Sequence, residues 1–370
     1  MVAKRQWAGE RVGSMHLRKL NYFEHANEPN AWSLEGLILD NINLVVGKNA
    51  TGKTNTIIRI AWLGNMLAGT MPQLLSSGNY DVEFSDDSDI YQYKLALSLQ
   101  KVEHEELVIN NEVKLKRESD GKGEIYSFQF NTNMNFQIQP NQLAAVSKRD
   151  SIQHPFLEKL AKWAEGLRMY AFSKLGREAN PRNANSAINL YTNGEREFGQ
   201  SFKESIITSM KEIGYEFTAL GTTALGLNSV LYVNEKNSNA NILQNQMSQG
   251  MVRALSLVIQ ITFNAFKDLP TTILIDDIGE GLDFDRSSSV IKLLSRVAEN
   301  GKCQLIMSTN DRYVMNNIPL KHWQVIQRTG GECKTYNYHN NQEIFEKFAY
   351  TGLNNFDFLA MDFINSEINK

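Results

Sequence analysis

The sequence predicts an α/β fold, a mixed β-sheet core carrying a helical lobe, and three observations predict it. Strand, glycine-rich loop and helix follow one another across residues 37–67, residues 80–139 break into short alternating runs, and residues 271–307 alternate strand, helix and strand. The last pattern argues for parallel pairing and the middle one for an antiparallel meander.

Residues 16–23 and 37–46 are apolar runs that read as strands around the polar loop 25–30. After the turn at Gly47, residues 54–67 (TNTIIRIAWLGNML) carry apolar side chains at helical spacing. Residues 91–99 alternate (YQYKLALSL), and 107–109, 113–115 and 125–130 are short runs between Asn, Asp and Gly turns. Residues 154–168 have Pro155 near the start and amphipathic spacing, the pattern of a surface helix. Residues 178–200, with Asn, Arg, Gly and Pro, read as an exposed loop. A helix near 198–213, strand-like runs to Val233, an Asn-rich stretch and a helix over 248–266 lead into the alternating region. The expected organisation is a leader or expression scar over 1–14, ending Gly13-Ser14 before Met15, then a head over 15–340 and an aromatic-rich helical tail over 341–370. Within the head, 15–140 and 268–340 form one lobe and 141–267 a helical insertion lobe.

With 42% hydrophobic and 21% charged residues the chain has the composition of a folded globular protein. A net charge of −3 gives no bulk attraction to polyanions, so DNA binding would need a local patch. Lys148, Arg149, Lys174, Arg177, Arg182 and Arg196 are the basic candidates, with a solvated charged face as their ordinary reading. Cys303 and Cys333 are too few for a disulfide framework, and the six histidines lack metal-ligand spacing. No apolar run reaches the roughly 18 residues that a membrane span needs, so a cytoplasmic protein is expected.

Gly47-Lys48-Asn49-Ala50-Thr51-Gly52-Lys53-Thr54, followed by Asn55, matches G-x-x-x-x-G-K-[ST] at every defined position and lies between a predicted strand and a predicted helix. Its glycines let backbone N–H groups close around phosphates at a helix N-terminus. Lys53 would neutralise β- and γ-phosphate oxygens and the Thr54 hydroxyl would ligate Mg²⁺. Downstream, residues 271–277 (TTILIDD) form an apolar run ending in two carboxylates, which a buried strand tolerates only where they serve a cation or a water. Asp276 would hold Mg²⁺, directly or through water, and Asp277 would orient an attacking water as general base.

These residues resemble the P-loop NTPases of the ABC type, in the SMC-like and RecF-like (OLD-like) branch, particularly compact ATPases of bacterial genome maintenance and anti-phage defence. Residues 247–253 (MSQGMVR) look like the ABC signature, Gly281-Leu282-Asp283 like the D-loop, and Ser308-Thr309-Asn310-Asp311 stands where a switch histidine is usual. The resemblance implies an ABC ATPase head in which Ser248, Gln249 and Gly250 of one subunit close over ATP held by another, with Asp283 nearby. It implies a head-to-tail homodimer or higher oligomer; a long coiled coil is absent from the sequence pattern. The chain ends soon after the switch strand, leaving no room for the Toprim nuclease domain that some relatives append, so a separate effector protein is expected. Anti-phage defence is the setting the resemblance favours.

Two departures bear on rate. Asp277 replaces the usual glutamate and stands one methylene farther from its water. Asn310 replaces the histidine and can donate a hydrogen bond but cannot take a proton. Slow hydrolysis is expected, with Asp277, Asn310 and Lys53 as catalytic residues. A RecF-like DNA-repair ATPase and a non-hydrolysing assembly module holding ATP as a structural ligand are the alternatives. Gln73, Gln100 and Gln129 are all open as the Q-loop glutamine. The tail 345–363 reads equally as a docking segment or as packing.

Overall fold

A computed structural model describes residues 15–86, 89–175, 186–226, 228–236, 240–267, 272–299 and 303–368. The expected leader 1–14, Thr271, Arg177 and Arg182 lie outside the described residues.

The chain opens with β1 (His16–Glu24), β2 (Trp32–Ile38) and β3 (Ile42–Val46), and the phosphate-loop motif leads into α1 (Lys53–Leu67). The meander follows as β4 (Ser77–Asp86), β5 (Asp89–Ser98), β6 (Lys101–Ile109), β7 (Glu112–Glu118), β8 (Lys122–Ser127) and β9 (Thr132–Gln137), each antiparallel to the one before. Its hairpins are tight: Asn110 and Asn111 both take positive φ, 49° and 68°, the geometry for which asparagine is suited in a two-residue turn.

Next come α2 (Ala144–Ser147), α3 (Pro155–Gly166), β10 (Leu167–Ala171), α4 (Ala187–Phe198), α5 (Gln200–Glu212), β11 (Phe217–Leu225), β12 (Asn228–Glu235), β13 (Ile242–Leu243) and α6 (Gln249–Phe266). Here the exposed loop expected over 178–200 is corrected. Residues 187–198 are α4, capped by Ser186, whose hydroxyl accepts from the Asn189 N–H, and Tyr191 is wholly buried. The Asn, Gly and Arg content masked an amphipathic helix whose apolar stripe packs on α6. The segment 141–267 is also less purely helical than expected: β10 joins the main sheet and β11–β12–β13 form a small sheet of their own.

The chain continues through β14 (Thr272–Asp276), α7 (Phe284–Glu299), β15 (Gln304–Ser308), α8 (Arg312–Asn317), β16 (Trp323–Thr329), β17 (Glu332–Asn337), α9 (Tyr338–Ala349), α10 (Asn355–Ala360) and α11 (Phe363–Ile368). The main sheet runs β10-β14-β15-β3-β16-β17-β2-β1-β4-β5-β6-β7-β8-β9. Pairing is parallel from β10 to β16 and between β17 and β2, and antiparallel elsewhere.

Both faces of the parallel part are covered. Leu44, Ile273, Ile275, Leu305 and Met307 join the core built with α4 to α7, while Val45, Leu274 and Ile306 join the core built with α1, α3 and the meander. That is why β3, β14 and β15 read as unbroken apolar runs rather than alternating ones. The aromatic tail belongs to the first core: Phe345, Phe348 and Phe358 are buried there, with Phe358 edge-on to Trp323 at 6.3 Å. No helix among the described residues is long and apolar enough to cross a membrane.

Candidate functional site

The carboxyl ends of β3, β14 and β15 lie side by side, so Gly47, Asp276 and Ser308 emerge together. Ligands of open α/β sheets bind at such ends. Gly52 begins α1 with φ 106°, and a Cβ there would meet Cys333 Sγ at 3.2 Å and Trp32 at 3.3 Å. A Cβ on Gly47 would stand 2.6 Å from the Ile326 carbonyl oxygen. Both glycines are therefore demanded by the strands against which the loop packs.

Lys53 is buried, and its Nζ donates to the Gly47 and Lys48 carbonyls at 2.9 and 3.0 Å. Burial lowers its pKa, while Asp277 and Asp276 pull it back up. The Thr54 hydroxyl donates to Asp276 Oδ1 at 3.1 Å, and the Ser308 hydroxyl reaches the same oxygen at 2.5 Å. Ser308 Oγ also accepts from the Asp277 N–H at 3.0 Å. The strand ends at Asp276, and Asp277 turns away with φ 55°. Its carboxyl is raised above the usual range by burial first, then by Asp276 and Glu280, with Lys53 opposing.

The donor set fits Mg²⁺. That cation takes oxygen ligands from one hydroxyl and one or two carboxylates, completing its shell with water and phosphate. Thr54 and Asp276 already share an oxygen contact, and the repulsion raising Asp277 is of the sign that a divalent cation relieves. Among the described residues no group of three or more His, Cys, Asp or Glu is arranged to hold another metal.

The sequence-predicted residues therefore converge in part. Residues 47–55, 276 and 277 come together, as does the 308–311 segment, where Asn310 is exposed, Thr309 donates to the Ile278 carbonyl and Asp311 caps α8. Ser248, Gln249, Gly250 and Asp283 form a second cluster. Ser248 caps α6 through the Met251 N–H, Asp283 accepts from the Arg286 N–H at the start of α7, and a Cβ on Gly250 would stand 2.5 Å from the Gly281 carbonyl oxygen. Ser248, Gln249 and Asp283 are exposed.

Sequence reasoning missed several supports. Ser308 stood in a quoted motif but was given no role on Asp276. Buried Arg253 spans three segments, donating to the Glu280 carbonyl at 2.7 Å and the Ser173 carbonyl at 2.9 Å from within α6. Cys333 and Arg328, on the β16–β17 hairpin, hold the Thr51 and Ala50 carbonyls of the phosphate loop, both at 3.1 Å. Lys48 pairs with Asp362 of the tail at 3.0 Å. No local pattern announces contacts spanning nearly 300 residues. Of the basic candidates, Arg149 is engaged by Glu158 and Glu165, and Lys148 lies over Phe136. Gln100 and Gln129 sit in hairpin turns of the meander and Gln73 is exposed after α1.

Fold and site together define a P-loop ATPase-type domain whose fold is shared with SMC heads. An SMC head bound to the C-winged helix domain of ScpA shares this fold with a TM-score of 0.51 at 13% identity, covering 87% of this chain and 97% of that one. An Smc head with an extended coiled coil, bound to the C-terminal domain of ScpA, from Pyrococcus furiosus, gives 0.49 at 10% identity, covering 91% and 100%. The SMC head from Thermotoga maritima gives 0.45 at 12% identity, covering 87% and 98%. The chain belongs to the family described as "AAA domain, putative AbiEii toxin, Type IV TA system", whose model matches residues 42–316. No protein of curated function matches it in sequence.

Proposed function

We propose that the chain binds ATP with Mg²⁺ at Gly47–Asn55, hydrolyses it slowly, and works as a nucleotide-gated dimer that controls a partner effector. The observation that carries the nucleotide site is the 3.1 Å contact of the Thr54 hydroxyl with Asp276, which joins residues 222 positions apart beside the buried Lys53.

In this reading the backbone N–H groups of the loop and α1 cradle the phosphates, and Lys53 neutralises the β- and γ-oxygens. Thr54 and Asp276 would hold Mg²⁺, which would supply charge neutralisation at the phosphates. Asp277 orients the attacking water and accepts its proton, and Asn310 offers a hydrogen bond to the γ-phosphate. The raised carboxyl of Asp277 favours proton uptake, but its short side chain and the missing imidazole argue for slow turnover.

Dimer gating is supported by the second cluster. Ser248 and Gln249 are exposed at the start of α6, ahead of the buried Gly250, and a second copy's phosphate would complete their role. Closure and reset would alter a surface that the effector reads. The relatives named for an AbiEii toxin and a type IV toxin–antitoxin system support a setting in bacterial defence, with phage as the expected threat.

The test is mass by light scattering with ATP and Mg²⁺, alongside phosphate release, for wild type, Lys53→Ala and Asp277→Ala. Wild type and Asp277→Ala should assemble with ATP while Lys53→Ala stays apart, and only wild type should release phosphate. Identical masses with and without ATP in all three would refute gating by dimerisation. Assembly without any phosphate release would make ATP a structural ligand.

A further inference from the structure

One cation beside the signature turn has no part in the reading above. Arg286 lies in the first turn of α7, three residues after Asp283, whose carboxylate accepts both its backbone N–H, at 3.0 Å, and its guanidinium. The guanidinium carbon stands 4.4 Å from the ring centroid of Tyr215. That ring is buried, and its hydroxyl lies 3.4 Å from where a Cβ on Gly250 would stand and contacts Ser248. Ser248, Gly250, Tyr215, Asp283 and Arg286 are thus one contiguous set.

The arrangement is unusual for a surface ion pair. A stacked guanidinium is oriented before any ligand arrives, so little rotamer freedom remains to be lost when it forms further hydrogen bonds. Its side chain is 39% exposed, and of five N–H donors only those on Nη1 engage Asp283. The other donors are available to an anion that can approach from solvent on the side where Ser248 is exposed. Planar, forked donors of this kind match phosphate oxygens in pairs.

We propose that Arg286 is a catalytic residue acting in trans, contacting the γ-phosphate of ATP held by the phosphate loop of a second copy, beside Ser248. This rests on the dimer reading above. In the transfer step the water oxygen bonds to the γ-phosphorus as the bond to the bridging oxygen of ADP breaks. The water's proton passes to Asp277 of the chain holding the nucleotide and then to the released phosphate. Arg286 exchanges no proton and forms no covalent bond; it neutralises charge on the equatorial oxygens as the transferring group separates. Asp283 holds it in place through Nη1 while the remaining donors face the phosphate.

The experiment is complementation between a slowed chain and an inactive one. Arg286→Ala should release phosphate about ten- to a hundredfold more slowly than wild type, and Arg286→Lys should recover only part of that loss. Lys53→Ala should be inactive. Mixed in equal amounts, Arg286→Ala and Lys53→Ala chains should recover about one quarter of the wild-type rate, because half of randomly paired dimers are mixed and each contains one intact site. Ser248→Arg mixed with Lys53→Ala provides the parallel case for the dimer itself. Wild-type release by Arg286→Ala alone overturns the proposal. So does recovery by the serine mixture without recovery by the arginine mixture, which would place Arg286 within its own chain's structure and leave the dimer standing. If neither mixture recovers, the dimer reading fails and takes the proposal with it. A wild-type chain that releases no phosphate also overturns it, since the residue is assigned to the transfer step.

Discussion

Replacing Gly250 by alanine separates local helix preference from tertiary fit. Within a helix, Gly→Ala ordinarily stabilises by at most about 1 kcal/mol, through the unfolded chain's lost freedom. Here the added Cβ would lie 2.5 Å from the Gly281 carbonyl oxygen and 3.1 Å from Leu282 Cδ2. Leu282 can turn aside; the carbonyl has no such freedom. Gly281 holds φ 82°, and Arg253 clamps the preceding peptide by donating to the Glu280 carbonyl at 2.7 Å. Overpacking against a fixed group costs about 1–3 kcal/mol, so the net effect should be a loss of about 1–2 kcal/mol. The displaced loop runs from Asp277 to Asp283, so phosphate release should fall by about tenfold or more. Urea unfolding and phosphate release measure both, with Gly64→Ala as comparison, since its Cβ would meet Leu167 Cδ1 at 3.0 Å, the end of a movable side chain. A Gly250→Ala protein as stable as wild type with an unchanged rate would refute this reasoning.

Two further predictions follow from charge. Asp277 has a folded pKa raised above its unfolded value, so its folded-state stability is full below the ordinary carboxylate range and is lost as pH rises through the raised value. Asp277→Asn should therefore raise stability at neutral pH by up to about 1 kcal/mol, with the gain vanishing in acid, while phosphate release stops; thermal unfolding at two pH values checks it, and a gain that persisted in acid would contradict the assignment. Arg117 is wholly buried, donating to the Gln139 and Pro140 carbonyls at 3.2 Å and to that of Gln142, while Glu105 beside it accepts from the Ala144 and Ala145 N–H groups at 2.7 and 2.8 Å. Arg117→Met should cost about 3 kcal/mol at neutral pH, and less as acid neutralises Glu105, whose pKa burial raises; urea unfolding at both pH values reads the difference.

The parts of the fold legible from sequence are those whose signal is local. The spacing Gly47-x-x-x-x-Gly52-Lys53-Thr54 encodes a backbone path, whereas the groups that a side chain at either glycine would strike include Ile326, Cys333 and Trp32, which the spacing does not reveal. Ser248 and Asp283, read in the sequence as signature and D-loop residues, also cap α6 and α7, a local role that the structure adds. The unbroken runs of β3, β14 and β15 announce strands buried on both faces, and the meander announces itself by alternation. Where composition spoke against periodicity, as over 187–198, composition misled, because Tyr191 and Ile188 are fixed by packing on α6 rather than by their neighbours' polarity.

Tertiary structure alone decided the contacts that join distant segments. That Ser308 bonds Asp276, that Arg253 ties the signature helix to the Glu280 turn, that Arg328 and Cys333 brace the phosphate loop from a hairpin nearly 300 residues away, and that Asp362 meets Lys48 all depend on strand order in the main sheet. The tail could have been a docking segment by its aromatic content, yet Phe345, Phe348 and Phe358 are spent on the core. Periodicity and turn chemistry constrain φ and ψ within a few residues, whereas which surfaces meet is chosen by burial summed over the whole chain, and no short stretch of sequence contains that sum.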